Sequence, residues 1–410
     1  LSFKGSNQSP DLGPLSTDAG VILIGESGSG IISDININYC EIGKSSGGIP
    51  TYLVSSYSAS GSVTNCSLKN SALSDASRKY IQLYTNTSDW EISSNHFYQT
   101  TTFTPPSGFT FAFVRLYEGS GYLIEGNYFG GQGKNCGGSA FTIGNANAKA
   151  HLISISSSVT GTTNIYNNTF QNINFTTINT SSPSFSIVNI AGGNGIYNIG
   201  DNGNGNTIGK TVESSSIIIN DNGGTATAST CLFYTANTTE TNINYNSIGA
   251  INLLGSNTSG NYLTFYSSSS GSLNFNYNIV GNTNSNNISD DIARTGPIYM
   301  GGRHRSSGTL TANNNTIQNF NLSENSTGFL YFIETTTASS VNASNNNIKN
   351  ITSERNAFTD LFALSITGNI TTNNNVIETI TLNGSDSQVY FFDLTSSGGN
   401  INCSENTIGG

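Results

Sequence analysis

The chain has 410 residues, of which only 9% are charged, and its formal net charge of -10 gives a pI near 4.6. That balance argues against a nucleic-acid binder, which needs a basic stripe, and no run of 18 apolar residues exists to form a membrane-spanning helix. Ser, Thr, Asn and Gly supply most of the polarity and are poor in helix interiors, so an all-β chain is expected.

Residues 1–34 read as an irregular N-terminal segment. Pro10 and Pro14 precede an apolar run, Val21-Ile22-Leu23-Ile24, suited to capping or docking. The chain begins at Leu1 without a signal peptide and reads as a processed or partial one. From residue 35 to 410 a six-residue pattern, apolar-x-x-Asn-x-Ile/Phe, recurs about a dozen times. Its fourth position is Cys40, Cys66, Asn95, Asn127, Asn168, Asn206, Asn246, Asn278, Asn315, Asn346, Asn375 and Asn406. Two residues on come Ile42, Leu68, Phe97, Phe129, Phe170, Ile208, Ile248, Val280, Ile317, Ile348, Ile377 and Ile408. Between these motifs lie short runs rich in aromatic and aliphatic residues, such as Tyr80–Tyr84, Phe111–Val114, Phe185–Val188, Tyr262–Phe265 and Phe329–Ile333, which carry the strand signal.

Repeats about 26 to 41 residues apart mean a solenoid. Two or three short strands per repeat make a parallel β-helix of about twelve coils, one elongated domain rising about 58 Å in all at about 4.8 Å per coil. The three-residue spacing from the apolar position to the Asn demands a bend, and Asn tolerates the left-handed conformation. Stacked side-chain amides then hydrogen-bond along the axis and stay satisfied inside the core.

Cys40 and Cys66 fall at equivalent places one coil apart, within reach of a disulfide; a free, stacked pair fits equally well. Cys136, Cys231 and Cys403 have no evident partner. About seventeen Asn-x-Ser/Thr sequons occur, with Asn86, Asn174, Asn237, Asn257, Asn321, Asn325, Asn350 and Asn383 as candidate glycan acceptors.

Catalysis needs converging groups. The best local set is Asp290, Asp291 and Arg294 with Arg303, His304 and Arg305, and it reads as a solvated loop with an Asp/Arg pair, so no catalytic residue is assigned. His96 and His151 lack neighbouring carboxylates and metal-ligand spacing. Asn202, Asn204, Asn206 and Glu213 echo a calcium loop but depart from it at the first and sixth positions. No metal or cofactor is expected.

On its Asn/Cys ladder with Ile or Phe two residues on, the chain resembles the right-handed parallel β-helix repeat proteins of pectate-lyase-like fold, and most closely their noncatalytic cell-surface members, adhesins and fibre proteins. The resemblance implies a right-handed, extracellular, noncatalytic solenoid. Polygalacturonases of that fold carry an Asn-Thr-Asp where this chain has Asn282-Thr283-Asn284. The last motif ends in Asn406-Thr407-Ile408-Gly409-Gly410 without a cap. An open strand edge there templates pairing, so head-to-tail self-association into a surface filament is the expected role. A glycan-binding adhesin is the alternative and requires an exposed aromatic row, for which Trp90, Tyr117, Tyr122 and Tyr128 are the candidates; a polysaccharide lyase or hydrolase is the further alternative and requires acidic residues converging on one face near Asp290, Asp291 and His304.

Overall fold

The computed structural model of the protein describes residues 1–5, 20–26, 29–46, 48–105, 107–210, 216–223, 229–282, 287–322, 327–356, 358–384 and 387–409. Each coil takes the chain through three sheets. A broad sheet comes first, with strands such as Asn261–Ser267; a narrow sheet follows, with strands such as Ser272–Asn276; a stepped sheet completes the turn, with strands such as Ile279–Val280 and Ile288–Asp290. Each strand pairs in parallel with its counterparts one coil before and one coil after: Asn261–Ser267 lies between Ser229–Thr235 and Ile298–His304. The broad and narrow sheets each hold 12 strands in chain order. This is a parallel β-helix, compatible with the right-handed crossovers that parallel strands overwhelmingly adopt.

In the first coils a small fourth sheet of three strands, Ile31–Ser33, Ser62–Thr64 and Thr87–Ser88, stacks beside the narrow sheet. Toward the C-terminus the two short strands of the stepped sheet fuse. Thr316–Leu322 pairs with both Ile279–Val280 and Ile288–Asp290, because the segment that separated them shrinks from seven residues to two. Inward residues form columns rather than isolated contacts. Phe97, Phe129 and Phe170 stack with centroids 4.6 and 4.8 Å apart, close to the strand spacing that sets them.

The solenoid also takes in the N-terminal segment. Ser2–Gly5 pairs with Glu41–Lys44 and Gly20–Glu26 pairs with Tyr52–Ser58, so residues 1–34 are not wholly irregular. The Val21–Ile24 run is a strand at the edge of the broad sheet, with Ile24 buried and Val21, Ile22 and Leu23 half-buried.

The ladder is continuous from Asn95 to Asn406. In each rung the backbone N–H and the Nδ2 of one Asn both donate to Oδ1 of the next: Asn127 to Asn168 at 3.0 and 3.0 Å, Asn206 to Asn246 at 3.1 and 2.9 Å. The second Nδ2 hydrogen reaches back to the carbonyl of the preceding coil, as from Asn127 to Ile92 at 2.8 Å. The left-handed residue is the one before the ladder position, not the Asn itself: Ser94, Asn167, Tyr245, Tyr277, Asn314, Asn345 and Asn374 all have φ between 52° and 59°.

One rung differs from expectation. The register pairs His96 with Ala72 and Glu41 with Ala72, which places Ser71 in the column between Cys40 and Asn95. The N–H of Ser71 donates to Asn95 Oδ1 at 3.0 Å, and Cys40 N–H donates to Ser71 Oγ at 3.1 Å. Cys66 therefore is not a ladder residue. It immediately precedes the narrow-sheet strand Ser67–Lys69 instead, five positions earlier in its coil, next to Trp90, whose successor Glu91 donates its N–H to Cys66 O. With different places in their coils, Cys40 and Cys66 form no disulfide; all five thiols are free, and only Cys403 is exposed. Each buried thiol of the pair turns to a local carbonyl, Cys40 to Asn38 and Cys66 to Thr64, both at 3.3 Å.

Candidate functional site

On the broad sheet the outward residues stack in two columns. The first runs Lys79, Ala112, His151, Ser186, Cys231, Leu263, Tyr299, Tyr331, Asp360 and Tyr390. The second runs Gln82, Arg115, Ser154, Asn189, Tyr234, Tyr266, Arg303 and Glu334. Parallel in-register pairing makes every such column a line of neighbours. On the narrow sheet the outward positions are amides, with Asn198, Asn242 and Asn274 each donating to the Asn of the coil before at 2.7–2.9 Å. The second column of the broad face changes from small polar residues to tyrosines between Asn189 and Tyr234.

Cys231, Leu263 and Tyr299 bury one another outside the main core, with Tyr234, Tyr266 and Tyr331 packed over them. Tyr234 stacks on Tyr266 at 5.6 Å, and Tyr299 on Tyr331 at 5.0 Å with planes 12° apart. Beside this cluster a cleft of about 340 Å³ is walled by Pro183, Tyr234, Asn261, Tyr266 and Arg303. Pro183 is held there by His151, whose Nε2 meets the Pro183 carbonyl at 3.1 Å.

Charge lies along the rim. Arg303 Nε is 2.5 Å from Glu334 Oε2, and Arg305 reaches Oε1 at 3.1 Å. Burial raises the Glu334 carboxyl against the opposing pull of Arg303, and burial followed by the neighbouring Asp393 charge raises Asp360. Burial, only partly countered by Arg303, also raises the Tyr299 phenol. Tyr331 is pushed up to about 12, first by burial and then by the Asp360 and Glu334 charges. The phenols thus stay protonated and present both a flat face and an O–H donor.

The residues picked out by sequence distribute differently. Trp90 and Tyr122 are 1% exposed and belong to the core, so they form no surface row. Tyr122 OH donates to Thr87 O at 2.6 Å. Tyr128 is exposed but stacks on His96 at 5.3 Å, while Tyr117 meets Tyr84 edge to face at 4.5 Å on the broad face. Asp290 and Arg294, read as a solvated pair, are both 1% exposed: Arg294 Nε lies 3.1 and 3.0 Å from the two carboxylate oxygens, and Arg355 adds a contact at 3.3 Å. The arginines also donate to Gly260 O and Gly328 O, tying four successive coils together at one corner. Arg303 and Arg305 instead engage Glu334, and His304 is buried.

Asn206 is committed to the ladder, and Glu213 lies outside the described residues, which hold no cluster of three metal-ligating side chains. Among the sequons, Asn237 and Asn257 are corrected. They are buried, and the Nδ2 that would carry a glycan donates to Gly195 O and Glu240 O in one and to Asp221 Oδ2 in the other. Asn350 and Asn383 are exposed, Asn86, Asn174 and Asn321 are half-buried, and Asn325 lies outside the described residues.

The tyrosine columns were missed because the broad-sheet runs look uniformly apolar. The available signal was an aromatic at the same offset in consecutive repeats: Tyr234 and Tyr266, then Tyr299 and Tyr331. No family model, curated protein or solved structure matches the chain.

Proposed function

We propose that this protein is a noncatalytic surface-recognition solenoid, outside the cell or on its surface, that binds saccharide chains along the broad face. The observation that carries this reading is the stack of Tyr234, Tyr266, Tyr299 and Tyr331 beside the 340 Å³ cleft. Sugar rings offer apolar C–H faces and a rim of hydroxyls. Stacked phenols match the first, while Asn261, Arg303 and Glu334 match the second. A rigid parallel sheet holds both at fixed spacing. A Ser-, Thr- and Asn-rich surface with exposed sequons at Asn350 and Asn383 suits an extracellular setting.

The test is binding of the full chain to a panel of immobilised oligosaccharides, followed by titration of the best one. Tyr266→Ala and Tyr331→Ala should each weaken it by about 3- to 10-fold, the scale of one lost aromatic contact. Absence of binding across the panel, or unaltered affinity in both variants, refutes the reading.

Axial self-association is a second proposal. In the final coil Tyr390, Ile401 and Ile408 are exposed, and Ile377, Ile380, Phe391 and Ile408 line an open apolar notch. This edge accepts another parallel strand, from a continuing chain or from a second copy. Electron microscopy and sedimentation at rising concentration separate the two: concentration-independent monomers refute the filament.

A further inference from the structure

Nearer the N-terminal end the broad face repeats, at smaller scale, the groups that wall the tyrosine cleft. Arg115 and Arg303 stand in one outward column, with Ser154, Asn189, Tyr234 and Tyr266 between them. Each guanidinium lies against a tyrosine of its own strand, Arg303 at 5.3 Å from the Tyr299 ring and Arg115 at 4.6 Å from the Tyr117 ring. Arg115 walls a second cleft, of about 230 Å³, with Phe109, Thr110, Tyr117 and Ser154. Tyr84, one strand away, meets Tyr117 edge to face and holds its ring in place. Among the described residues the two clefts share no wall, and Asn189 between them is 4% exposed, so they are separate. The arginines are satisfied differently. Glu334 follows Arg303 in the column and takes its Nε, whereas Ser154 follows Arg115 and takes a terminal N–H, which leaves Arg115 Nε without a hydrogen-bond partner. The half-buried Arg115 guanidinium therefore retains donor capacity.

We propose that this second cleft is a further binding site for the same class of saccharide, taking the apolar side of a sugar ring against Tyr117 and Phe109 and its hydroxyls on Arg115 and Thr110. The inference rests on the saccharide reading above and adds a second, independent site to it. An aromatic wall with one guanidinium and a neutral polar group beside it is matched at the first cleft by Tyr234, Tyr266, Arg303 and Asn261. Phe109, one face of which Arg78 covers at 3.8 Å, closes the cleft as a fixed wall. Its smaller volume suits a single ring. Parallel pairing holds both clefts on one rigid sheet, so filling one leaves the geometry of the other unchanged.

The experiment is calorimetric titration of the full chain with maltotriose, cellotriose, chitotriose and trigalacturonate, each too short to reach from one cleft to the other. Wild type should bind the best of these at two sites. Tyr266→Ala should weaken one site by about 3- to 10-fold and leave the other unchanged, and Tyr117→Ala should do the reverse. Combining the two should weaken both. Arg115→Gln, at a half-buried position, should act as Tyr117→Ala does and keeps the test available should that variant misfold. A single site in wild type, or two sites of which neither responds to Tyr117→Ala or Arg115→Gln, overturns this inference. The saccharide reading then still stands if Tyr266→Ala weakens the binding. Absence of binding for all four probes overturns both.

Discussion

Replacing Asn246 by Ala interrupts the ladder at its centre, and the cost follows from the bonds it removes. The Asn246 side chain accepts from Asn206 N–H at 3.1 Å and from Asn206 Nδ2 at 2.9 Å, and donates to Ile199 O at 2.9 Å and Asn278 Oδ1 at 3.1 Å. In the Ala variant four buried groups lose a partner: Asn206 N–H, one Asn206 Nδ2 hydrogen and Ile199 O lose this one outright, while Asn278 Oδ1 keeps the Asn246 backbone N–H. At about 1–3 kcal/mol for each orphaned group, and with partial relaxation, the loss is about 4–6 kcal/mol. The assay is guanidinium unfolding followed by far-ultraviolet circular dichroism. Asn246→Asp gives a sharper check. A carboxylate there faces Ile199 O and Asn278 Oδ1, so the fold favours the protonated acid and raises its pKa above the unfolded value of about 3.9. Stability is then fully present below the unfolded pKa and is lost as pH rises through the folded one. A loss below about 1 kcal/mol for Asn246→Ala, or a flat difference between Asn246→Asp and wild type from pH 3 to 8, refutes the cooperative ladder.

Burial, with little compensation from the Pro183 and Gly308 carbonyls, holds both His151 and His304 down to about 4. Their unfolded forms take a proton below about pH 6.5, so stability present above that value is lost as pH falls toward 4, by about 3 kcal/mol for each histidine; a melting temperature unchanged from pH 7 to pH 4.5 refutes this. Asp290→Asn leaves Arg294 and Arg355 buried without their carboxylate and should cost about 3–5 kcal/mol in denaturant unfolding; a loss under about 1 kcal/mol shows the corner clamp to be dispensable. In the native protein a thiol reagent should label Cys403 alone, with Cys40, Cys66, Cys136 and Cys231 reacting only after denaturation; a Cys40–Cys66 disulfide in a peptide map overturns the register at the second coil.

Much of the fold is legible because an inward Asn is so unusual. From Asn95 onward a single column accounts for every rung, and the spacing between motifs alone gives the solenoid. The second coil misled for a local reason: it bends twice within five residues. Asn65 and Asn70 both take the left-handed conformation, and each is followed by a small buried residue and a strand, Cys66 with Ser67–Lys69 and Ser71 with Ala72–Ser74. Sequence pattern cannot rank two such bends; only register against the neighbouring coils does so. The tyrosine columns of the broad face were hidden differently. Broad-sheet strands break strict alternation where they turn, so that Leu53 and Val54, and likewise Phe113 and Val114, are neighbours in sequence yet both lie in the core. A two-residue period therefore places Tyr122 and Trp90 as plausibly on the surface as Tyr266 and Tyr331, and the choice falls to packing.

Stacking in chain order turns the broad face into a ruler. The strand holding Arg115 and the strand holding Tyr266 are four steps apart in the sheet, about 19 Å at about 4.8 Å per step. Neither end drifts relative to the other, since every intervening strand is pinned by its neighbours. Under the saccharide reading proposed above, the Arg115 strand and the Tyr266 strand would be two stations: a linear partner shorter than that span would engage one only, whereas a longer one would reach both and gain the effective concentration of a tethered second contact. Adding or removing one coil between them would reset the gauge by a single strand step and leave both stations intact.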